Sequence, residues 1–362
     1  MALPQPRPGI MDIKPYKPGG SQAPGAQEIF KLSSNESALG ASPKALEAYR
    51  GAADSLFLYP DGAATKLREK IGEIHGLDPE RIVCGAGSDE LLQLLVRAYV
   101  GEGDNIIQSA HGFLVYALAA KSCGAEPRFA PEKNLAGDVD AMLKLVDERT
   151  RMVFIANPNN PTGSYLPANE LRRLRKGLPD HVLMVIDAAY AEYVSRNDYV
   201  SGAELVEKHD NVVMTRTFSK AFGLAAVRLG WAYCPAEVAD VLNRVRNPFN
   251  VTAPAQAAGI AAVGDLSHTD AAIAHNDEWL LKFTVELQNL GYEVAPSVGN
   301  FVLVRFDTPE IARSAYDYLL SQGVIGRMMG GYGLPESLRF TIGLESELKR
   351  VIDSLVAHRK SL

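Results

Sequence analysis

The 362-residue chain has only three cysteines, Cys84, Cys123 and Cys234, far apart and in no metal-ligand or disulfide spacing. Each lies in an apolar stretch, which reads as a buried thiol in a reducing compartment and excludes a disulfide scaffold. No run reaches the roughly 20 apolar residues that a bilayer-spanning helix needs. The opening segment, MALPQPRPGIMDIKPYKPGG, lacks a basic stretch followed by an apolar core, so no secretory signal is expected. An excess of positive charge is lacking too: 37 Lys and Arg stand against 43 Asp and Glu, a formal net charge of -6. That balance offers no global attraction to nucleic acid or anionic membrane, so an anionic ligand must be drawn in by locally placed arginines. Repeats and low-complexity tracts are also missing. The expectation is a soluble, cytoplasmic protein with no nucleic-acid, membrane or metal partner.

What is present is an ordinary globular composition, 47% hydrophobic and 22% charged. The length fits a large domain plus a smaller one. Residues 1–28 are rich in Pro, Gly and Gln and read as an extended arm, with Tyr16 as its anchor. Residues 1–40 then form the arm and the start of the small domain. From about residue 41 strands and helices alternate. Ser42-Pro43 begins a helix in cap-then-proline order, and Leu67, Ile71 and Ile74 mark the buried stripe of the next. Strands are expected at Arg81–Cys84, Asn105–Ser109, Met152–Ala156, Val182–Asp187, Asn211–Thr217 and Trp231–Cys234. Strands apolar on both faces, alternating with helices, argue an α/β large domain with a mostly parallel central sheet over 41–246. Residues 247–362 read as a smaller α+β domain. There, helices over about 252–263 and 269–290 precede strands at Glu293–Ala295, Phe301–Phe306, Ile325–Met328 and Ser337–Ile342.

The most informative segment runs Thr217-Phe218-Ser219-Lys220-Ala221-Phe222-Gly223-Leu224-Ala225-Ala226-Val227-Arg228-Leu229-Gly230. A lysine standing alone is ordinarily a solvated surface group. This one follows the apolar run Val212, Val213, Met214 and precedes small residues. A lysine at a strand end among apolar neighbours has a lowered amine pKa, which favours Schiff-base chemistry. Arg228, Thr217 and Ser219 supply a charge-assisted clamp and hydroxyl donors for a phosphate.

Other segments support two readings each. Asp187 ends a strand, as a helix N-cap or as an acid at the strand edge where α/β sheets bind ligands. Asn157-Pro158-Asn159-Asn160-Pro161-Thr162-Gly163 is made of turn residues. Gly85-Ala86-Gly87-Ser88-Asp89-Glu90 joins a strand to an apolar helix, where free backbone N–H groups and the helix dipole suit a phosphate. It is also half of a dinucleotide fingerprint lacking its third glycine, which counts against a NAD-dependent oxidoreductase. Phe113 on its own is an unremarked core aromatic.

The spacing S-K-x-x-G-L-x-x-x-R-x-G resembles the cofactor-lysine signature of fold-type-I aminotransferases. The arm Pro15–Gly19, the segment Lys31–Ser37, Tyr59-Pro60-Asp61-Gly62, Asn247–Val251, Gly331–Pro335 and Leu338–Gly343 look like the histidinol-phosphate aminotransferase family within it. The resemblance implies pyridoxal phosphate held as a Schiff base on Lys220, which also acts as the catalytic base. It implies that Asp187 pairs with the pyridine nitrogen, that Tyr190 and Asn160 bond the phenolic oxygen, and that Phe113 stacks on the ring. Gly87, Ser88, Thr217, Ser219 and Arg228 would surround the phosphate, joined by Tyr59 of a partner subunit, hence a homodimer. Arg339 would clamp the substrate carboxylate and Arg327 the substrate phosphate, with Tyr16 and Asn35 bordering the imidazole. The implied reaction, a step of histidine biosynthesis, is L-histidinol phosphate plus 2-oxoglutarate giving imidazole-acetol phosphate and glutamate. An aromatic amino-acid transaminase and a threonine-phosphate decarboxylase share much of this pattern. One departure is Ala188, where the family more often has Glu.

Overall fold

The computed structural model describes residues 5–7, 9–15 and 19–361; Tyr16 lies outside them. The alternation from residue 41 resolves into seven strands: β1 Ile82–Gly85, β2 Asn105–Ser109, β3 Glu126–Ala130, β4 Thr150–Ala156, β5 Leu183–Asp187, β6 Val212–Thr217 and β7 Gly230–Tyr233. They form one sheet in the order β1-β7-β6-β5-β4-β2-β3, parallel except for β7, which runs antiparallel to both neighbours. Strands β1, β6 and β7 are buried at every position, and so is β5. That is why they read as continuous apolar runs and not as alternations. Helices cover both faces: Leu67 and Ile71 of the helix Thr65–His75 are fully buried on one, and Leu91, Leu92 and Leu95 of the helix Ser88–Tyr99 on the other. Each such side chain contributes roughly 1.5–3 kcal/mol by leaving water.

Strand β3 is not among the expected strands. It closes the sheet at an edge, where half-exposed Pro127 and Arg128 cost little because no further strand needs their hydrogen bonds. The helix Pro43–Gly51 starts as its sequence implies, with the Ser42 hydroxyl accepting from Ala45 N at 3.1 Å and Pro43 at the first position.

A second sheet holds β8 Glu293–Ala295, β9 Phe301–Arg305, β10 Arg327–Met329 and β11 Leu334–Thr341, in the order β8-β9-β11-β10 and antiparallel throughout. The helix Ala253–Gly264 packs Ala255, Ala258 and Ala262 into the core of the large sheet, and the helix Leu266–Asn289 carries Phe283 and Leu287 to the core of the second. The expected single strand Ile325–Met328 is in fact two. Val324–Ile325 pairs in parallel with Phe30–Lys31, while Arg327–Met329 joins the second sheet. The break falls at Gly326, where an added Cβ would come within 2.6 Å of the Phe340 ring. Only a glycine lets the chain cross that ring and change partners. Cys84 and Cys234 are buried free thiols, whereas Cys123 is only half-buried, unlike the expectation. Burial pushes the Cys84 thiol up to about 12 and so keeps it unreactive. Among the described residues no helix is long and apolar enough to cross a membrane.

Candidate active site

A cavity of about 480 Å³ opens where the C-terminal ends of β4, β5 and β6 meet the second sheet. This is the edge at which α/β sheets expose unpaired chain ends to a ligand. The turn after β6 aims Lys220 into it. Phe218 and Ala221 are fully buried on either side of the lysine, with Phe218 and Phe222 packed ring to ring at 4.9 Å. Those apolar anchors fix the turn and leave the lysine side chain facing the cavity. Its Nζ donates to the carbonyls of Ser34 at 3.0 Å and Asn35 at 3.2 Å and lies 5.5 Å from the centre of the Tyr190 ring.

Asp187, at the end of β5, is 5% exposed. Tyr116 donates to one carboxylate oxygen at 2.7 Å and Thr215 to the other at 3.1 Å. These neutral donors only partly offset the loss of water. Burial therefore raises the carboxyl pKa to about 6, and the charge of Asp89 adds to the rise. Tyr116 is held face to face on Phe154 at 4.4 Å and edge-on to Phe113 at 5.7 Å, so Phe113, at the cavity wall, and Asp187 are linked through one side chain.

At one end of the cavity Ser88, Thr217, Ser219 and Arg228 converge. Arg228 has a left-handed φ of 55°, uncommon without glycine, and its guanidinium reaches back to Ser219 Oγ at 3.2 Å and to the Ala225 carbonyl at 2.9 Å. Gly87, at φ 83°, lies in the turn just before the helix Ser88–Tyr99; a side chain there would run into Arg228.

Arg327 and Arg339 line the cavity wall on the second sheet and face each other across β10 and β11. Arg339 is 2% exposed, with its guanidinium 5.3 Å from the Phe301 ring centre. It donates to the Ser33 carbonyl at 2.9 Å and to Asn160 Oδ1. That bond leaves the Asn160 amide nitrogen as the atom that can donate to a ligand oxygen. The loop carrying Asn160 is closed by Asn157, which bonds Leu166 through both side-chain atoms at 3.1 and 2.8 Å. Asn35 joins the two sides: it donates to the Tyr190 hydroxyl at 2.9 Å and its backbone N–H donates to Thr341 at 2.9 Å.

Twelve of the residues singled out in sequence thus line one cavity: Asn35, Ser88, Phe113, Asn160, Asp187 and Tyr190, with Thr217, Ser219, Lys220, Arg228, Arg327 and Arg339. Tyr59 does not; it is 82% exposed on the surface, stacked on Phe249 at 4.6 Å. Tyr16 lies outside the described residues. Thr215, Tyr116, Asp89 and the Ser34 carbonyl were not expected. Thr215 had a signal, since it shares the face of β6 with Thr217 two positions on. Tyr116 had none, because its partner lies 71 residues away.

The family of class I and II aminotransferases matches residues 27–355. Curated relatives named histidinol-phosphate aminotransferase, from Paramagnetospirillum magneticum and Rhodospirillum centenum, are 58% and 56% identical, each over 98% of this chain and 98% of the relative. The crystal structure of histidinol-phosphate aminotransferase from Sinorhizobium meliloti in complex with pyridoxal-5'-phosphate matches at a TM-score of 0.88 and 29% identity, over 92% of both chains. Aspartate aminotransferase from Thermus thermophilus with maleate, 21% identical, shares the fold at a TM-score of 0.82 over 91% of this chain and 92% of its own.

Proposed function

Because the chain belongs to the aminotransferase class I and II family, we propose that it moves an amino group between L-histidinol phosphate and 2-oxoglutarate, giving imidazole-acetol phosphate and glutamate in histidine biosynthesis. The fold is that of the fold-type-I pyridoxal-phosphate enzymes, and the chain is an enzyme that uses this cofactor. The observation that carries the reading is one cavity holding a lysine amine between two separate cationic ends, Arg228 at one and Arg327 with Arg339 at the other. A cofactor with one phosphate and a substrate with another need that arrangement, and the net charge of -6 would otherwise repel both.

The residues fit pyridoxal phosphate. The buried Asp187 carboxylate, raised to about 6 for want of a charged partner among its donors, suits a ring N–H⁺. When bound, the cofactor supplies an amine-reactive aldehyde carbon and a ring that accepts an electron pair. Lys220 would hold that carbon and Phe113 the ring face. Tyr190 and Asn160 would donate to the phenolic oxygen, and Ser88, Thr217, Ser219 and Arg228 would bind the phosphate, with Gly87 giving them room. Lys220 Nζ then acts as general base: it takes the substrate Cα proton and keeps it inside the cavity for redelivery. Asn35 borders the substrate, as Tyr16 does in the same reading. The cofactor domain spans 41–246, with 1–40 the arm and the start of the smaller domain and 247–362 the remainder of it, the helix Ala253–Gly264 packing back on the first.

Arg339 meets the α-carboxylate of glutamate in one half-reaction and the phosphate-bearing branch of histidinol phosphate in the other. A phosphate has more charge and more acceptor oxygens, so it recruits Arg327 as well. Arg327→Ala is therefore expected to lower kcat/KM for histidinol phosphate roughly 30-fold, the lower end for cutting one partner from a hydrogen-bonded charge pair. Phenylalanine, which lacks a phosphate, should change by less than about threefold by the same reasoning. Half-reaction kinetics with both substrates check this, and equal losses contradict it.

The same reading makes the enzyme a cytoplasmic homodimer. Leu56, Phe57, Leu58 and Tyr59 form an exposed run, each at least 60% accessible, of the apolar kind that marks an interface. Tyr59 would complete the phosphate site of the partner subunit. Inactive Lys220→Ala and Tyr59→Ala chains should regain activity on mixing, since a mixed dimer contains one intact site. A fully active monomer in sedimentation contradicts the arrangement.

A further inference from the structure

Asp89 stands in the phosphate cup without a part in the reaction described above. It is the second residue of the helix Ser88–Tyr99, it lines the cavity, and its carboxylate lies 3.3 Å from Arg228 Nη2. Both side chains are a little under half exposed, so the pair is wet and exchangeable. The anion therefore sits on the two features that attract a phosphate, the Arg228 guanidinium and the positive end of a helix. A phosphate entering the cup finds one face of Arg228 already occupied and a negative charge beside it. No other described carboxylate pairs with Arg228; its remaining recorded partners are the neutral Ser219 hydroxyl and the Ala225 carbonyl.

We infer that Asp89 is a resident competitor of the cofactor phosphate: it pairs with Arg228 when the cup is free and weakens phosphate binding when the cup fills. The inference rests on the cofactor placement proposed above. Like charges a few ångströms apart at a partly hydrated site repel by roughly 1 kcal/mol per unit charge, which is about fivefold in affinity, and a phosphate near neutral pH carries close to two charges. The charge of Asp89 also reaches Asp187, whose proton it helps to retain. Removing it then favours the ionised Asp187 as well as the phosphate.

The test is titration calorimetry on the full-length apoenzyme with inorganic phosphate, pyridoxal phosphate and pyridoxal. Asp89→Asn should bind inorganic phosphate and pyridoxal phosphate about 3- to 30-fold more tightly than the unaltered chain, with the gain shrinking as salt is raised. Pyridoxal, which has no phosphate and gains only through Asp187, should tighten by a clearly smaller factor than pyridoxal phosphate, a distinction that a purely structural role would not make. Asp89→Ser, which keeps a side chain suited to a helix start, should repeat the result if the asparagine variant folds poorly. Unchanged or weaker phosphate affinity would overturn the inference and make Asp89 a positioning residue for Arg228. An equal gain for pyridoxal would overturn it too. Failure of inorganic phosphate to compete with pyridoxal phosphate in the unaltered chain would instead remove the placement of the cup on which the inference stands.

Discussion

Lys220→Ala is expected to lower kcat by roughly 10⁴-fold, the upper range for loss of a positioned general base, while leaving the fold in place. The buried Phe218, Ala221 and Phe222, and not the lysine side chain, hold its turn. Its amine contacts the Ser34 and Asn35 carbonyls and the Tyr190 ring, and both carbonyls sit at the cavity wall where water can replace it. Lys220→Arg separates charge from chemistry. It restores a cation at the same carbonyls, but a guanidinium with a pKa above about 12 is neither a nucleophile nor a base near neutral pH. Arginine should therefore be as inactive as alanine. Melting curves and single-turnover kinetics on both variants check this, and an arginine variant within about tenfold of the unaltered chain would mean that only the charge at position 220 matters.

Asp187→Asn is expected to reduce kcat by roughly 10²- to 10³-fold, the range seen when one preorganised electrostatic partner is removed from a reacting centre. Asparagine fills the same space, but it offers no negative charge to keep a ring nitrogen protonated. The same change should act in the opposite direction on the stability of the cofactor-free protein. The folded-state pKa of about 6 lies above the ordinary value of 3.8. Between those values the folded chain binds more protons than the unfolded one, so stability falls as pH rises through that window. The penalty is absent below about pH 4, complete above about pH 6, and of the order of 3 kcal/mol. Cofactor-free Asp187→Asn should lack this slope and melt higher than the unaltered chain at about pH 8, whereas near pH 4 the two should converge. Thermal unfolding across that range reads the difference. An unaltered chain whose stability rises from pH 4 to pH 6 would show that another group dominates or that Asp187 is not held in an unfavourable charged state.

Most of the architecture was legible wherever burial had left a uniform mark. Strand β2 falls on the expected residues, and β5, β6 and β7 within a position or so, because strands covered on both faces are apolar almost without interruption; β8 also falls where expected, although its Glu293 is exposed. Strand β3 was not legible: at an edge it needs neither apolar faces nor a full set of donors, and Pro127 disguises it. The change of partners at Gly326 depends on the Phe340 ring, fourteen residues along the chain, and no local pattern reports that crowding. Among the site residues, those drawn together at the cavity had been marked by strand ends and by a spacing resembling a known family. Of the two hydroxyls that hold Asp187, Thr215 carried a signal, two positions before Thr217 on the same strand face, and Tyr116 carried none. Tyr116 lies on a helix whose periodicity explains it as core, and only the folded chain brings it to the end of β5. Asp89 was hidden for another reason: an acid at a helix start is ordinary, and its contact with Arg228 spans 139 residues.

Borohydride reduction of the purified, cofactor-loaded enzyme followed by peptide mapping locates the nitrogen that carries the cofactor. Reduction converts a carbon–nitrogen double bond to a stable amine, so it records which nitrogen held the cofactor. The expected result is a single labelled peptide from the segment Thr217–Gly230, with the pyridoxyl group on Lys220 and none recovered from Lys220→Arg. A label on any other lysine of the unaltered chain, or no label at all, would contradict it.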